Sequence, residues 1–538
     1  MKLLQHQKTS LLCMSGILAV TIFIGMFQVS LSGVQWPEDG SRYLNNGAMI
    51  REYLLSGEWF SPYEFAKKNY SQIPGFSLPY HPPGYAVMLG IWFIVFGMSY
   101  ASGRLFIAAM LGITGIFFFR ILRLQKVSWH VAFLSSILLI TSHEMVHWGR
   151  STMSEVPALA FIMIGSFFFL KWVDTGKNHL CWLAFGAALV AFFCRVTSAG
   201  VLPAWFLYVI FSKQWKRCFS VHIAAPAALY LVTGVFWSKF ASQFAKNEIR
   251  SGVADRLSSF ATFDNLTVWL RELPGMIGPL TIIVAAAGFI LLIKNKNEMA
   301  RFWGLFLLSY YLFQVMLRIH FEARYFLFSL PAFFAFICGI APAAPKTWHQ
   351  AGAGAAAGAV LILNLIFFFN MPAGVTGHDD TAEKLSKLDL PGNILLSCWN
   401  DADLMFRYRC LPHKFERQLV RGDRTLAIRV SSYAGVDPEP VAQNVKDVEN
   451  ILKQGYIRYM VTSTATNSQW DDRHADMILA HETAVAHPEL FTLLDKSMIV
   501  FDFSKKREAQ VYIWQYEGKL PQTQNRLPVI IPTADLKL

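Results

Sequence analysis

Two adjacent carboxylates, Glu38 and Asp39, lie in the polar segment that follows the first long apolar run of the chain. Arg42 and Tyr43 come directly after them. A carboxylate at the end of an apolar run can act as a general base, or it can position an acceptor hydroxyl for attack. It can also be no more than the solvated start of a loop, so the pair needs partners before it indicates a reaction.

Further ionisable residues lie at the ends of other apolar runs. The segment His143–Pro157 holds two histidines, Arg150 and the acid Glu155. Ionisable side chains at a membrane boundary are costly unless they have a function, although each could also be an anchor at the end of a span. The same description applies to His81, Arg195, Glu322, Arg324 and Tyr325.

One stretch of this segment, from His143 to His147, matches the HExxH pattern of zinc proteases. On a helix this spacing places two imidazoles on one face with a glutamate between them. The longer form of the motif fails, because neither its glycine nor its third histidine follows at the required spacing. Glu155 is a candidate for a third ligand. An intramembrane zinc protease, or a divalent metal site in another enzyme, is therefore an alternative, although the sequence requires no cofactor.

These residues are embedded in an apolar chain. Of its 538 residues, 54% are hydrophobic and 16% are charged, and 45 are phenylalanines. A run of about 18 or more apolar residues can cross a membrane as a helix. The sequence predicts about 11 such spans, at residues 10–30, 101–122, 129–146, 156–172, 179–194, 198–212, 218–239, 274–293, 302–317, 325–342 and 352–370.

The apolar run 84–98 is too short to cross, and it fits an interfacial helix within a first outer loop, residues 31–100. When it is not counted as a span, clusters of Lys and Arg alternate between loops as the positive-inside rule requires. The N-terminus is then cytoplasmic, and the first apolar run is retained because no small-residue cleavage site follows it. The chain lacks the retention signals of a eukaryotic endomembrane protein, so we expect a multi-pass protein of a bacterial plasma (inner) membrane.

The sequence changes character near Met371, which predicts a membrane domain, residues 1–370, and an extracytoplasmic domain, residues 371–538. In the second domain strand-like runs alternate with helical ones, and this indicates a small α/β fold. Cys398 and Cys410 could pair there in an oxidising compartment, but their spacing does not show it. The predicted strands are 393–399, 425–432, 456–463, 498–503 and 510–516, and the predicted helices are 445–453 and 471–486.

The net charge of +12 does not indicate a nucleic-acid partner. Lys and Arg occur in short clusters between apolar runs, where they set membrane topology, and they do not form one basic face. Phosphate-bearing lipid is the better anionic partner.

In their order along residues 30–370, these motifs resemble the GT-C membrane glycosyltransferases, in particular the branch that contains the protein O-mannosyltransferases and the lipid A aminoarabinose transferase. That branch has an acidic motif after the first span, and a Pro-containing end of the first outer loop before an interfacial helix. Its second outer loop carries an Arg or Tyr, a Met, an acid and a Pro, and a later Glu-x-Arg-Tyr precedes Leu-Pro. The matching residues here are Glu38, Asp39, Arg42 and Tyr43; His81, Pro82, Pro83, Gly84 and Tyr85; Arg150, Met153, Glu155 and Pro157; and Glu322, Arg324, Tyr325, Leu330 and Pro331.

The resemblance implies inverting transfer of a sugar from a polyprenyl-phosphate donor, at the outer face of the membrane, to a lipid, polysaccharide or protein acceptor. It implies that Asp39 is the catalytic carboxylate, because alignment on Arg42 and Tyr43 places Asp39 at the family's acid. Glu155 would assist, and Glu38 is the next candidate for the catalytic carboxylate. The leaving group is already a phosphate, so cations suffice to stabilise it. The candidates for the donor site are His81, Arg150, Arg195, Glu322, Arg324 and Tyr325.

Two departures from the family pattern concern this site. The family's second acid is usually Asp, and Glu155 is one methylene longer. Relatives have a Lys before the proline, where this chain has His81, which binds a phosphate less reliably at neutral pH. A transporter is a third class of function. Transporters often show paired halves, whereas this sequence has no half-to-half repeat and its ionisable residues gather at one face.

Overall fold

The computed structural model describes residues 2–29, 33, 37–75, 81–212, 215, 220–242, 263–317, 323–340, 347–428, 439–464, 475–502, 506–522, 526–527, 530–531 and 536–537. Its N-terminal part is helical, and its C-terminal part is built on a β-sheet. The helices of the first part are α1 (Lys2–Met26), α2 (Pro37–Ser56), α3 (Pro62–Gln72), α4 (Gly84–Phe96), α5 (Tyr100–Leu124), α6 (Trp129–Ile140), α7 (His143–Arg150), α8 (Glu155–Thr175), α9 (Asn178–Cys194), α10 (Val201–Phe211), α11 (Val221–Ser242), α12 (Phe263–Ile277), α13 (Pro279–Lys294), α14 (Glu298–Leu317), α15 (Ala323–Phe326), α16 (Leu330–Ile337) and α17 (Thr347–Phe369).

Several of these helices are long and apolar enough to cross a membrane, which confirms the prediction of a polytopic membrane protein. Within the described ranges, five segments qualify on their own, and shorter apolar helices lie between them. The number of spans and their orientation stay predictions. The five segments are Gln7–Met26, Tyr100–Leu124, Glu155–Thr175, Val221–Ser242 and Ala323–Ile340.

Two predicted spans are interrupted. The helix expected over 274–293 bends by 110° between α12 and α13. The bend falls at Gly278, whose φ of +81° is a conformation that glycine adopts without strain. The helix expected over 129–146 is two helices, α6 and α7. The hydroxyl of Thr141 donates to the carbonyl of Ile137, and that of Ser142 donates to the carbonyl of Leu139, each at a donor–acceptor distance of 2.8 Å. These bonds compete with the helical backbone hydrogen bonds at this break.

The segment between α1 and α5, which the sequence predicts as a loop with one interfacial helix, also contains the helices α2 and α3. The predicted interfacial helix is α4, whose 13 residues are apolar throughout. Helix α2 packs closely on α4. A Cβ on Gly47 would lie 2.7 Å from Cγ of Leu89, so only glycine allows this approach. The contact fixes α2 on the helical part of the molecule.

Residues 374–537, which we call the sheet domain, contain the predicted α/β fold. A six-stranded sheet has the order β1-β7-β8-β6-β2-β3, with β2 parallel to β3 and β6 and the other pairs antiparallel. Its central register pairs Val461 with Ile513 and Leu395 with Met460. The elements are β1 (Gly374–Thr376), α18 (His378–Ser386), β2 (Asn393–Ser397), α19 (Asp401–Arg409), β3 (Leu419–Arg421), α20 (Gly422–Thr425), β4 (Ala427–Ile428), β5 (Glu439–Pro440), α21 (Val445–Gln454), β6 (Ile457–Ser463), α22 (Ala475–Ala486), β7 (Phe491–Asp502), β8 (Lys506–Tyr516), β9 (Ile530–Ile531) and β10 (Leu536–Lys537).

Most of the predicted elements of this domain are present, with one correction. Of the strand predicted over 425–432, the structure describes 425–428 and confirms only Ala427–Ile428, because Thr425 ends the short helix α20. Within the described part of the chain, Cys398 and Cys410 are free thiols.

The sheet domain docks on α2 through α19. The amide of Asn45 donates to the carbonyl of Ala402 over 2.8 Å, and Nε of Arg409 donates to Oε1 of Glu52 over 2.6 Å. Helix α2 is therefore shared, because one side of it faces the apolar helices and another the sheet domain.

Candidate active site

Helix α2 brings the first acidic motif to the centre of the molecule. Pro37 stands at its first turn, where the missing N–H costs nothing, so the helix begins just before Asp39. Asp39 and Tyr43 are four residues apart and hence on one face of α2. The hydroxyl of Thr152 donates to the carbonyl of Gly40 over 3.1 Å, which pins the start of α2 to the segment that precedes α8.

Asp39 forms an ion pair with Arg324 of α15. Nη1 of Arg324 donates to Oδ2 of Asp39 over 2.8 Å, while the Asp39 side chain retains 22% of its exposure. Burial alone would raise the pKa of Asp39, but His81, Arg324 and Arg42, of which Arg324 is in direct contact, lower that pKa to about 2. Asp39 is therefore ionised at neutral pH and still reachable.

Glu155, the first residue of α8, lies beneath this pair and is fully buried. Its Oε1 is 3.2 Å from Nη2 of Arg195 and 3.8 Å from Nε of Arg324. Neither oxygen of Glu155 accepts a hydrogen bond from the described residues, so its charge is offset through these ion pairs. Two carboxylates and two guanidiniums thus form one charge-balanced group, which we call the carboxylate–arginine cluster: Asp39, Glu155, Arg195 and Arg324.

Two tyrosines hold the guanidiniums of this cluster in place. Nη1 of Arg195 donates to the hydroxyl of Tyr43 over 3.1 Å, and Oγ of Ser154 donates to the same oxygen over 3.2 Å. The ring of Tyr325 lies 5.3 Å from Cζ of Arg195 and 5.2 Å from Cζ of Arg324, within the range of cation–π attraction. The backbone carbonyl of Tyr325 is in turn bonded by the amide of Gln314.

His81 completes one side of the site. Its ring centroid is 5.0 Å from that of Tyr43, which also contacts the ring of Tyr85 at 5.2 Å. Burial, followed by the nearby arginines, lowers the pKa of His81 to about 3, so the imidazole is neutral at neutral pH. It can therefore bind a phosphate through a hydrogen bond but does not supply the charge of a lysine.

Arg150 is placed differently from the other arginine candidates. Its side chain is buried, with 1% of its surface exposed, and the ionisable residues beside it are Arg104 and Tyr100. None of the three guanidinium nitrogens of Arg150 has an acceptor among the described residues. The ion pairs of the carboxylate–arginine cluster do not include it.

The HExxH residues lie on α7 and do not assemble a metal site with Glu155. The ring of His143 packs on Phe367, and Glu144 accepts a bond from Trp148 over 2.9 Å. Within the described ranges, no group of three or more His, Cys, Asp or Glu side chains could hold a metal ion. Glu155 faces Arg195 instead.

Two candidates cannot be placed, and several residues of the site were not predicted. Glu322 lies outside the described residues, and of Glu38 only the backbone, in α2, is described. Tyr43, Ser154 and Tyr85 belong to the site, although the sequence singled out none of them for a role. The spacing of four between Asp39 and Tyr43 is a signal for Tyr43, but only once α2 is recognised as a helix.

Comparisons with known proteins agree with this architecture. Residues 80–237 match the family described as dolichyl-phosphate-mannose-protein mannosyltransferase. Crystal structures of ArnT from Cupriavidus metallidurans, bound to undecaprenyl phosphate and in the apo state, superpose with a TM-score of 0.56 at 13% sequence identity. The bound structure covers 92% of this chain and 97% of its own, and the apo structure 94% and 97%.

An uncharacterised protein of Aquifex aeolicus (strain VF5) is 24% identical over 202 residues, which are 37% of this chain and 38% of that protein. The chain thus spans well under two thirds of that relative's length. The likeness to ArnT extends over nearly the whole of both chains, and it shows that they share a fold.

Proposed function

We propose that this chain, a GT-C superfamily protein with the ArnT-like fold, is an inverting glycosyltransferase that uses a polyprenyl-phosphate-linked sugar. The observation that carries the proposal is the carboxylate–arginine cluster, whose members come from separate segments of the chain and meet around one exposed carboxylate, Asp39. The ArnT relative binds undecaprenyl phosphate, which supports a lipid-linked donor.

The reaction that fits these residues is a single displacement at the anomeric carbon. An acceptor hydroxyl oxygen attacks this carbon on the face opposite the phosphate, and its proton passes to Asp39. The bond between the anomeric carbon and the phosphate oxygen breaks, and its electron pair leaves on polyprenyl phosphate. The configuration at the anomeric carbon is thereby inverted. A phosphate is a good leaving group, so guanidiniums suffice to stabilise it and no strong acid is needed.

Arg324 can contact both Asp39 and the donor phosphate in this displacement. In the structure it is bonded to Asp39, and together with His81 this contact keeps the pKa of the carboxyl too low for an efficient base. A donor phosphate placed beside Arg324 would compete for the same guanidinium. As the phosphate takes over the contact, the pKa of Asp39 rises, and the carboxylate becomes a better proton acceptor when the donor is bound.

Glu155 and Arg195 act in this scheme as the fixed part of the site. Glu155 is fully buried between two guanidiniums, so it holds them in position when Arg324 changes its partner. Arg195 is further tied to Tyr43, one turn from Asp39. We propose that Arg195, Arg324 and the neutral His81 form the donor phosphate site, with Tyr325 supporting both arginines.

The test is donor consumption by the purified protein in liposomes that contain a polyprenyl-phosphate-sugar extract and candidate acceptors. Mass spectrometry follows which lipid-sugar disappears. We expect Asp39→Asn to reduce turnover by a factor of about 10²–10⁴, which is the usual contribution of a positioned base. The matched control is Asp389→Asn, at an exposed carboxylate in the sheet domain.

The two variants separate the possible outcomes. Equal loss in both would indicate damage to the protein and not to a base. Full activity in Asp39→Asn would refute the role of Asp39, and Glu38→Gln and Glu155→Gln would then be compared in the same assay. Consumption of no lipid-sugar by the wild type with any acceptor would refute the proposed function as a whole.

We also propose that the N-terminus is cytoplasmic, and that the site and the sheet domain face outward from the plasma membrane through about 11 spans. Ser386 lies at the end of α18 in the sheet domain and suits a cysteine label. In intact cells, a membrane-impermeant maleimide should label Ser386→Cys before lysis, in a chain whose native cysteines have been replaced. Labelling only after lysis would contradict the proposed orientation and indicate that the sheet domain faces the cytoplasm.

A further inference from the structure

The turn between α2 and α3 exposes a group of large apolar side chains. Helix α2 is buried from Tyr43 to Met49, whereas every residue from Leu55 to Glu64 is exposed. Phe60 is completely exposed, and Trp59 retains 63% of its exposure. Apolar side chains grouped in this way on a surface mark a site of interaction with a protein or a membrane. We call four of them the aromatic tip: Leu55, Trp59, Phe60 and Tyr63.

The aromatic tip is presented by an ordered turn. The hydroxyl of Tyr53 donates to the carbonyl of Trp59 over 2.7 Å, and the indole Nε1 of Trp59 donates to the carbonyl of Leu54 over 3.2 Å. Beneath the turn, the ring of Phe65 is buried and lies 5.4 Å from that of Tyr53. The hairpin of α2 and α3 therefore has its own small apolar contact inside, and the tip faces away from it.

Helix α2 runs beside α4 in the same direction. The rings of Tyr43 and Tyr85 are 5.2 Å apart, and further along both helices a Cβ on Gly90 would lie 2.6 Å from Cγ2 of Ile50. The contacts thus advance toward the C-terminal end on both helices. Leu55 follows Ile50 by five residues, so the tip begins level with the last turn of α4.

Helix α4 lies at the end of a candidate membrane span and exposes an apolar face. The indole Nε1 of Trp92 donates to the carbonyl of Ser102 over 3.0 Å, and its ring is 5.6 Å from that of Phe106. These contacts place α4 across the first two turns of α5, the span Tyr100–Leu124. An apolar helix at the end of a span lies in the membrane interface, where lipid covers its exposed face. That face consists of Val87, Ile91, Ile94, Val95 and Phe96, which are between 38% and 67% exposed.

The charged side chains beside the tip balance one another. Nζ of Lys67 is 3.1 Å from Oε1 of Glu64, and Nζ of Lys68 is 3.8 Å from Oε1 of Glu58. Nζ of Lys67 also lies 4.4 Å from the ring centroid of Tyr63. Two cations and two anions leave this rim without net charge, so it favours neither an acidic nor a basic partner. Trp and Tyr next to balanced polar groups are typical of the boundary between lipid and water.

We propose that the aromatic tip inserts into the interface of the lipid bilayer, on the side of the membrane where α5 begins. Its apolar surface then continues the exposed face of α4, and insertion removes both from water. This continuity favours the bilayer over a second copy of the chain or a soluble partner. Because α2 also carries Asp39, the tip fixes the depth of this carboxylate relative to the bilayer.

The experiment measures where a fluorescent label beside the tip lies. Leu55→Cys, in a full-length chain whose native cysteines have been replaced, carries the fluorophore NBD and is reconstituted into phosphatidylcholine vesicles. Spin-labelled phosphatidylcholine quenches the label from the bilayer interface, and iodide quenches it from water. The matched control is the same label at Asp389→Cys, whose side chain in the sheet domain is 86% exposed. We expect lipid quenching at Leu55→Cys to exceed that of the control at least about threefold, and iodide quenching to be weaker.

Variants show whether the aromatic side chains cause the insertion. With the label at Leu55→Cys, Trp59→Ser/Phe60→Ser should lower lipid quenching to the level of Asp389→Cys, whereas Phe60→Leu keeps an apolar side chain and should preserve it. Glu64→Gln, on the exposed rim of the same hairpin, should also preserve it. The Tm of each variant should equal that of the parent, because these side chains are exposed, and this checks that the fold is retained.

The two quenchers separate the alternatives. Strong iodide quenching at Leu55→Cys, equal to that of the control, would place the tip in water and overturn the proposal. Weak quenching by both reagents would overturn it as well, and would indicate that a second copy of the protein covers the tip. Vesicles that also contain phosphatidylglycerol should give the same lipid quenching, since the rim has no net charge, and a requirement for this anionic lipid would refute the neutral surface. None of these measurements needs turnover, so they stand whether or not the proposed transfer is correct.

Discussion

Two pairs of buried arginines in this molecule differ in their counter-charges. In the first pair, Arg324 is 2.8 Å from Asp39, and Arg195 is 3.2 Å from Glu155. Each guanidinium therefore has a carboxylate within ion-pair distance. The positive charges are neutralised inside the site, and the site keeps strong, fixed dipoles at the place where charge changes during the proposed transfer.

The second pair, Arg104 and Arg150, has no carboxylate within ion-pair distance among the described residues. Nη2 of Arg104 donates to the carbonyl of Gly25, and its guanidinium is 6.0 Å from the ring of Tyr100. Arg150 has no acceptor among the described residues for any of its nitrogens. Arg104 thereby joins α5 to the end of α1.

The comparison shows that burial and motif position do not by themselves identify a functional arginine. Arg150 and Arg195 both follow apolar stretches, and only Arg150 belongs to the pattern that resembles the family. The structure places only Arg195 beside carboxylates. The presence of a counter-charge, which depends on how distant segments meet, is what separates the two pairs.

The largest effect should follow from breaking the balance of the first pair. Glu155→Gln keeps the size of the side chain but leaves Arg195 and Arg324 with one carboxylate between them. Removing one member of a buried ion-pair group costs about 3–5 kcal/mol, and we expect this loss of stability together with loss of transfer. Chemical unfolding in detergent measures the first quantity, and donor consumption the second.

Glu64→Gln is the control for this change, since Glu64 lies in an exposed pair on α3. It should alter the free energy of unfolding by no more than about 0.5 kcal/mol. A Glu155→Gln protein as stable as this control would mean that the cluster is not charge-balanced in the way described.

A smaller effect concerns pH and the Asp39–Arg324 pair. Because the folded-state pKa of Asp39 is depressed to about 2, its contribution to stability is present above the unfolded pKa and is lost as pH falls through about 2. The pH profile of kcat/KM for the wild type should therefore show no acid limb from Asp39 between pH 4 and pH 8. In Arg324→Gln one of the groups that lower the pKa of Asp39 is gone while His81 and Arg42 remain, so this pKa should rise and the acid limb should move to higher pH than in the wild type.

The measurement is kcat/KM for the donor as a function of pH, since this ratio reports the ionisation of the free enzyme. Arg301→Gln, which removes an exposed arginine of α14, should keep the wild-type profile. An unchanged profile in Arg324→Gln would show that Asp39 does not depend on this guanidinium.

Much of the fold could be predicted from the sequence, because hydropathy and periodicity are local properties. The apolar helices, including the short helix α4, and the strands β2 and β6 follow from such patterns. The break between α6 and α7 could not be predicted in this way, since Thr141 and Ser142 lie in an otherwise apolar run and act through hydroxyl bonds to the backbone. Helix α2 was missed because it is polar and shared between two parts of the molecule.

The sequence predicted which residues belong to the candidate site better than it predicted how these residues are arranged. The order of the motifs selected Asp39, Glu155 and Arg324, and the end of an apolar run selected Arg195. The structure brings these four residues together, and their roles remain predictions. A side chain whose function depends on contacts between distant segments has no signature of its own in a single sequence.

The smallest effect is expected at the second pair of arginines. Arg150→Met keeps an unbranched side chain of similar length and removes a buried charge that has no acceptor among the described residues. Replacing buried charges by apolar groups of similar volume is often neutral or stabilising, by about 1–4 kcal/mol. We expect the free energy of unfolding to stay equal or rise, and donor consumption to stay within about threefold of the wild type. A folded Arg150→Met protein that has lost transfer would contradict this distinction. It would mean that the two pairs act in one site, and that Arg150 contacts the donor as its place in the motif indicates.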